Sequence, residues 1–119
     1  MKEPIVKLLK PALAEFAGTG LLVAVVVGSG IMGSFLSASN IGVALLINAL
    51  STAFALALLI NILGPVSGAH FNPAVSFVQW LQRSISAAQL LVYVAAQTAG
   101  AIAGAILANV MFNTPALQI

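Results

Sequence analysis

The sequence predicts an all-α integral membrane protein with three transmembrane helices and one re-entrant half-helix. Three observations support this fold class: an apolar composition, three apolar segments of membrane-spanning length, and a shorter apolar segment behind a Gly- and Pro-containing stretch. Hydrophobic residues make up 61% of the 119 residues and charged residues only 5%. Soluble domains carry about 25% charged residues, so this composition excludes a soluble enzyme and a disordered chain. The absence of cysteine excludes a disulfide-stabilised mini-protein.

The three predicted spans are residues 11–32, 43–63 and 86–112, and each reaches the roughly 20 apolar residues that cross a bilayer as a helix. Residues 11–32 are too long for the apolar core of a signal peptide, which runs to about 7–15 residues. Pro11 suits a first helical turn, where its missing N–H needs no partner. The polar segment 33–40 predicts the first turn between spans.

Residues 64–82 do not fit a simple helical hairpin and predict a re-entrant loop with a half-helix. Residues 64–71 contain two glycines and a proline and are not expected to form a regular helix. Asn72 and Pro73 then form a helix start, and the apolar run to Leu81 is about 15 Å long, half the hydrocarbon thickness. Irregular backbone at membrane depth occurs only where protein buries it or where it lines a water-filled cavity. This segment therefore predicts a pore or a binding site.

The few charges predict the orientation and exclude other partners. The charged residues are Lys2, Glu3, Lys7, Lys10, Glu15 and Arg83. In a three-span topology every Lys and Arg falls on one side, which the positive-inside rule places in the cytoplasm. We therefore expect a multi-pass protein of the cell inner (plasma) membrane with the N-terminus cytoplasmic and the C-terminus outside. So few cations form no patch for a nucleic acid, and one histidine without cysteine predicts neither a metal site nor a cofactor.

Three motifs resemble the aquaporin (major intrinsic protein) family. The segment Ser67-Gly-Ala-His-Phe-Asn-Pro-Ala-Val75 is similar to the first Asn-Pro-Ala signature of that family. Ala14-Glu-Phe-Ala-Gly-Thr-Gly20 resembles its first-helix signature, and Tyr93-Val-Ala-Ala-Gln97 with Gly100 and Gly104 resembles its third helix. The resemblance covers essentially all 119 residues. It implies a membrane channel for water and small neutral solutes such as glycerol. The near absence of any acid–base constellation argues against an enzyme.

The resemblance is to one half of the family architecture. Family members have six spans and two Asn-Pro-Ala loops in inverted repeats, whereas residues 1–119 hold three spans, one loop and no counterpart of the second loop's arginine. We therefore expect a single half-aquaporin repeat. Gly28–Gly33 and Asn48 most resemble bacterial aquaporins found beside arsenic-resistance genes, which adds neutral metalloid hydroxides to the expected solutes.

The candidate pore residues are Asn72, Pro73, Ala74, His70 and Thr52. An asparagine at a half-helix N-terminus offers amide N–H donors to a solute oxygen, beside about half a positive charge from the helix. The simpler alternative is a helix cap without pore function. The resemblance implies that His70 braces the loop or lines its cytoplasmic mouth. It places Thr52 where the family has an aromatic residue, so that the pore mouth would be wider; the alternative is a hydroxyl bonded to its own helix.

Two further groups of residues are expected to support the structure. The resemblance implies that Glu15 is a buried carboxylate that accepts N–H bonds from the loop, where Ser67 and Gly68 complete the support; proton coupling is the alternative. Gly100 and Gly104, with Ala96 and Ala108, form a ridge of small residues that lets helices approach closely. Gln97 lies on the same helix and is expected among the packing residues.

Three hypotheses remain for the assembly. The preferred one is a homo-oligomer that builds a pore around the Asn-Pro-Ala loop by self-assembly. The others are one half of a split channel that needs a second aquaporin half, and a non-conducting structural fragment. A family-type pore needs halves of opposite orientation, whereas the charge bias favours one orientation. The expected partners are the lipid bilayer, a second copy or a second half, and water and small neutral solutes.

Overall fold

The computed structural model describes residues 4–114, and these form four helices: α1 (Ile5–Leu36), α2 (Ile41–Ser67), α3 (Pro73–Leu81) and α4 (Ala87–Met111). Helices α1, α2 and α4 are long and apolar enough to cross a membrane. Helix α3 has nine residues and is about 13 Å long, less than half of a hydrocarbon core of about 30 Å. Within residues 4–114 there is no strand. The predicted all-α fold of three spans and one short helix is confirmed; the expected positions of the two termini concern residues 1–3 and 115–119, outside the described part.

Helix α1 begins earlier than predicted, so Pro11 lies inside it rather than in its first turn. A proline at this position cannot donate to the carbonyl of Lys7. Lys7 is exposed near the N-terminus of α1, where water can solvate that carbonyl. The helix therefore continues through Pro11 at little cost.

The prediction that residues 64–71 cannot be helical is wrong for residues 64–67. Helix α2 runs through Gly64 and Pro65 to Ser67, because Pro65 removes only one hydrogen bond from a long helix and its fixed φ suits helical backbone. The helix ends at Gly68, whose φ of 90° is left-handed and whose N–H donates to the Gly64 carbonyl at 2.8 Å. The irregular segment is therefore short and comprises residues 68–72.

Contacts between helices define the topology. Near the start of α1, Glu15 contacts Gln97 in the first half of α4, and near its end Gly28 lies beside the ring of Phe112, so α1 and α4 are parallel. Asn48, early in α2, donates to the carbonyl of Val26, late in α1, so α1 and α2 are antiparallel. As a result, the starts of α1 and α4 and the end of α2 lie at one end of the molecule.

Helices α1 and α4 touch through their backbones. A Cβ atom added at Gly100 would overlap the Phe16 carbonyl oxygen, and one added at Gly104 would overlap the Gly20 carbonyl oxygen. Such close approach is typical of small residues at helix crossings in membranes. Ala108, one turn after Gly104, is also buried, so the ridge continues along α4.

Helix α3 packs against α4 and runs antiparallel to it. Ser76 contacts Gln97, which lies ten residues into α4, whereas Leu81 is followed by only a short connection to the start of α4. The N-terminus of α3 therefore points into the middle of the bundle, and its C-terminus returns to the end that carries Lys10 and Arg83.

Candidate functional site

The loop that connects α2 to α3 has an unusual backbone. Gly68 has a φ of 90°, and two residues with side chains, Ala69 and Phe71, have φ values of 53° and 54°. Left-handed backbone costs about 1–2 kcal/mol for a residue with a Cβ atom. The loop is therefore not a locally favoured turn, and contacts with the helices must stabilise it.

Glu15 accepts four hydrogen bonds, two of them from backbone N–H groups of the loop, and its side chain is fully buried. Its Oε1 accepts hydrogen bonds from the Phe71 backbone N–H at 2.8 Å and from Gln97 Nε2 at 2.7 Å. Its Oε2 accepts from the Ser67 hydroxyl at 2.6 Å and from the His70 backbone N–H at 3.1 Å. A carboxylate is an acceptor only, and all four partners are donors, so the site matches the ionised side chain.

A second layer of hydrogen bonds surrounds this carboxylate. Ser67 Oγ also accepts from the Ala69 N–H at 3.1 Å, and the Tyr93 hydroxyl donates to the Ser67 carbonyl at 2.5 Å. Gln97, predicted as a packing residue, is buried and uses Nε2 a second time to donate to Ser76 Oγ at 3.0 Å. The structure therefore places Gln97 in the polar network between α1 and α3, in addition to the α1–α4 interface.

His70 is half-buried and faces into the molecule. Its Nδ1 lies 2.8 Å from Ser76 Oγ, and its ring meets the ring of Tyr93 edge-on, with centroids 5.1 Å apart. Ser76 Oγ accepts from Gln97, so a His70 tautomer with its ring proton on Nε2 would let the Ser76 hydroxyl donate to Nδ1 and would satisfy both groups. Among residues 4–114 no three His, Cys, Asp or Glu side chains come together as a metal site would require.

Phe71 anchors the loop through its side chain. The ring is buried and lies directly over Gly18, where an added Cβ atom would be 2.6 Å from Cζ. Sequence reasoning did not single out Gly18, Phe71 or Ser76. The available signal was weak: Ser76 is one turn after Asn72, but nothing local shows that Gly18 must lack a side chain.

Asn72 is the N-cap of α3, and its side chain remains exposed. Its Oδ1 accepts from the Ala74 N–H at 2.8 Å, and its backbone carbonyl accepts from the Ser76 N–H at 3.1 Å. Within residues 4–114 the two amide N–H groups have no hydrogen-bond partner. Pro73 and Ala74 form the exposed first turn beside it. The helix N-terminus, which carries partial positive charge, and these N–H groups thus form an open donor site.

Thr52 lies apart from this site, about 22 Å along the axis of α2 from Ser67. Its hydroxyl is half-buried and donates to Asn48 Oδ1 on the same helix at 3.4 Å. The hydroxyl is therefore bonded within its own helix, through a side chain rather than the backbone. Asn48 in turn donates to the Val26 carbonyl at 3.3 Å, which connects this pair to α1.

Comparison with known proteins gives a consistent family assignment. The family profile described as "Major intrinsic protein" matches residues 3–118. The chain is 51% identical over 112 residues to aquaglyceroporin AqpS of Rhizobium meliloti (strain 1021), a match that covers 94% of this chain and 48% of that protein. It is 41% identical over 100 residues to human aquaporin-5, covering 84% and 36%, respectively. It is 32% identical over 102 residues to the propanediol uptake facilitator PduF of Citrobacter freundii, covering 86% and 37%. The chain spans about half or less of these relatives.

Proposed function

The chain belongs to the major intrinsic protein family, and we propose that it forms one half of a membrane channel for water and small neutral solutes such as glycerol. The observation that carries this proposal is the geometry of Asn72. Its Oδ1 caps α3, while its amide N–H groups remain open at the N-terminus of a half-length helix. Two N–H donors at this place can hold the oxygen of a passing water or alcohol.

The same site would disfavour charged permeants. The N-terminus of α3 contributes about half a positive charge, which repels cations and protons at the narrowest part of a pore. The loop that holds Asn72 is rigidly attached, because the preceding residue, Phe71, is bonded to Glu15 and packed against Gly18. A fixed donor site allows the solute to exchange hydrogen bonds without rearrangement of the protein.

The solute class follows from the relatives and from Thr52. One relative is named an aquaglyceroporin and another a propanediol uptake facilitator, and both names indicate small polyhydroxy compounds as cargo of those proteins. Thr52 is smaller than an aromatic residue and would leave a wider pore mouth. We therefore propose glycerol as well as water, and neutral metalloid hydroxides of similar size and hydrogen-bonding character.

The second half of the pore must come from outside residues 4–114. The described residues hold one re-entrant half-helix, and the donor site at its N-terminus is exposed. We propose self-assembly around the Asn-Pro-Ala loop as the source of the second half; a separate second-half polypeptide is the alternative. The described cations, Lys7, Lys10 and Arg83, all lie at one end, which favours a cytoplasmic position of that end in the inner membrane.

Water and glycerol flux into proteoliposomes, followed by light scattering, tests the function. Asn72→Asp is the matched variant, because aspartate is an equally good N-cap but replaces the N–H donors with a negatively charged oxygen. We expect flux above that of empty vesicles with the unmodified chain and its loss with Asn72→Asp at unchanged helix content. Equal flux in both would refute the role of Asn72. If only co-reconstitution with a second-half polypeptide gives flux, the split channel is correct and self-assembly is not.

A further inference from the structure

A polar cleft lies between α1 and α2, at the end of the molecule opposite to Lys10 and Arg83. Its volume is about 210 Å³. The lining residues are Gly30, Ser34, Ile41, Ala44, Leu45 and Asn48. Asn48 is about 28 Å along α2 from Ser67, so the cleft is close to the far surface of a hydrocarbon core of about 30 Å. Dissolved solutes can therefore reach it from the water phase.

Asn48 has one amide N–H left to bind a ligand in this cleft. Its Oδ1 accepts from the Thr52 hydroxyl at 3.4 Å, and one N–H donates to the Val26 carbonyl at 3.3 Å. The second N–H has no hydrogen-bond partner among residues 4–114. A Cβ atom added at Gly30 would lie 2.9 Å from Asn48 Nδ2, so the glycine leaves room for the amide at the wall of the cleft. The amide nitrogen therefore borders the cleft as a donor.

Ser34 supplies an acceptor to the same cleft. Its hydroxyl donates its only proton to the Gly30 carbonyl at 2.9 Å. Within the described part of the chain no N–H or O–H donates to Ser34 Oγ, so the lone pairs of this oxygen stay open. The cleft thus combines one free donor, from α2, with one free acceptor, from α1.

We propose that this cleft binds a hydroxyl group of a small polyol such as glycerol. A hydroxyl is both an acceptor and a donor, so its oxygen can accept the free N–H of Asn48 while its proton goes to Ser34 Oγ. Ile41, Ala44 and Leu45 offer apolar contacts to the carbon atoms of the same solute. No ionisable side chain lines the cleft, which therefore favours a neutral ligand.

The cleft lies on the face of α2 that carries Thr52. Ile41, Leu45, Asn48 and Thr52 follow one another at spacings of three or four residues, which places them on one side of the helix. The role of the cleft in transport rests on the proposed function: with Thr52 at the pore mouth, a polyol entering from this end meets the cleft first. Binding itself needs no pore, so the site and the channel can be tested separately.

The site can be tested by protection of a thiol, since the chain has no cysteine. Leu45→Cys places a single thiol in the cleft and leaves both polar groups intact. Its modification by a water-soluble methanethiosulfonate is followed by mass spectrometry in detergent micelles. Glycerol is expected to slow the modification severalfold and saturably, whereas ethylene glycol dimethyl ether, which has no O–H group, should not. Adding Ser34→Ala should raise the half-maximal glycerol concentration about fivefold, the effect of one hydrogen bond.

Asn48→Leu in the same background should raise that concentration at least as much. Asn61→Leu is the matched control, because it makes the same substitution on α2 about 20 Å away, and it should leave protection unchanged. Circular dichroism should show equal helix content in all variants. Absence of protection in the Leu45→Cys chain, or equal protection with and without Ser34→Ala and Asn48→Leu, would overturn the proposal. Protection without glycerol flux in proteoliposomes would support the site and refute the channel, and flux without protection would do the reverse.

Discussion

Replacement of Glu15 by glutamine tests whether the carboxylate holds the re-entrant loop in place. The two side chains have the same shape, so the substitution changes hydrogen-bonding character and charge but creates no cavity. Glutamine has one acceptor oxygen, whereas the site presents donors to both oxygens of Glu15. If the amide oxygen takes the Oε1 position, it keeps the bonds to Phe71 and Gln97. The amide nitrogen then faces the His70 N–H, and that part-buried donor loses its partner.

The expected loss of stability follows from these bonds. The bonds from Phe71 and Gln97 change from charge-assisted to neutral, which costs about 1 kcal/mol each. The unpaired N–H of His70 adds about 1–3 kcal/mol. The total of about 3–5 kcal/mol is a large part of a typical stability of 5–15 kcal/mol. The Glu15 carboxylate holds the backbone of the loop at His70 and Phe71, so the loop should loosen before the bundle unfolds.

Two measurements check this prediction: unfolding in mixed detergent micelles, and water flux in proteoliposomes. We expect earlier unfolding and a strong loss of flux for Glu15→Gln. Tyr93→Phe is the matched comparison, since it removes the neutral hydrogen bond to the Ser67 carbonyl, just before the same loop, and should cost less, about 1–3 kcal/mol. Stability and flux of Glu15→Gln within error of the unmodified chain would refute this role of Glu15, because the four donors would then have been satisfied without the carboxylate.

Two further predictions concern the loop and its contact with α1. Ala69→Gly should stabilise the protein by about 0.5–1 kcal/mol, because relief of the left-handed strain exceeds the extra chain entropy of glycine. Unfolding in detergent measures this change. Destabilisation would contradict the left-handed φ of 53° at Ala69. Gly18→Ala should displace the Phe71 ring, because its Cβ atom would overlap the ring. We expect this variant to lower the free energy of unfolding by about 1–3 kcal/mol and to reduce flux. Combination with Phe71→Leu, which removes the ring, should recover part of the loss; no recovery would show that another contact at Gly18 is responsible.

The loop shows where prediction from sequence reaches its limit. Asn72 and Pro73 predict the start of α3 because a cap and a first-turn proline act within a few residues. Gly64 and Pro65 predict an irregular backbone, yet α2 continues through them. A proline lowers the local preference for helix but does not forbid it. The long helix before it and the left-handed cap at Gly68 decide where α2 ends.

The amino-acid sequence by itself determined that the chain enters a membrane, that it crosses it three times, and that a half-length helix begins directly after Asn72. Composition, apolar length and capping are local properties, so they can be read without coordinates. Only the tertiary structure decided that Glu15 accepts from both Phe71 and Gln97, and that Gly18 lies under a ring. These residues are far apart in the chain. The rotation and register of packed helices bring them together, and these depend on all contacts at once.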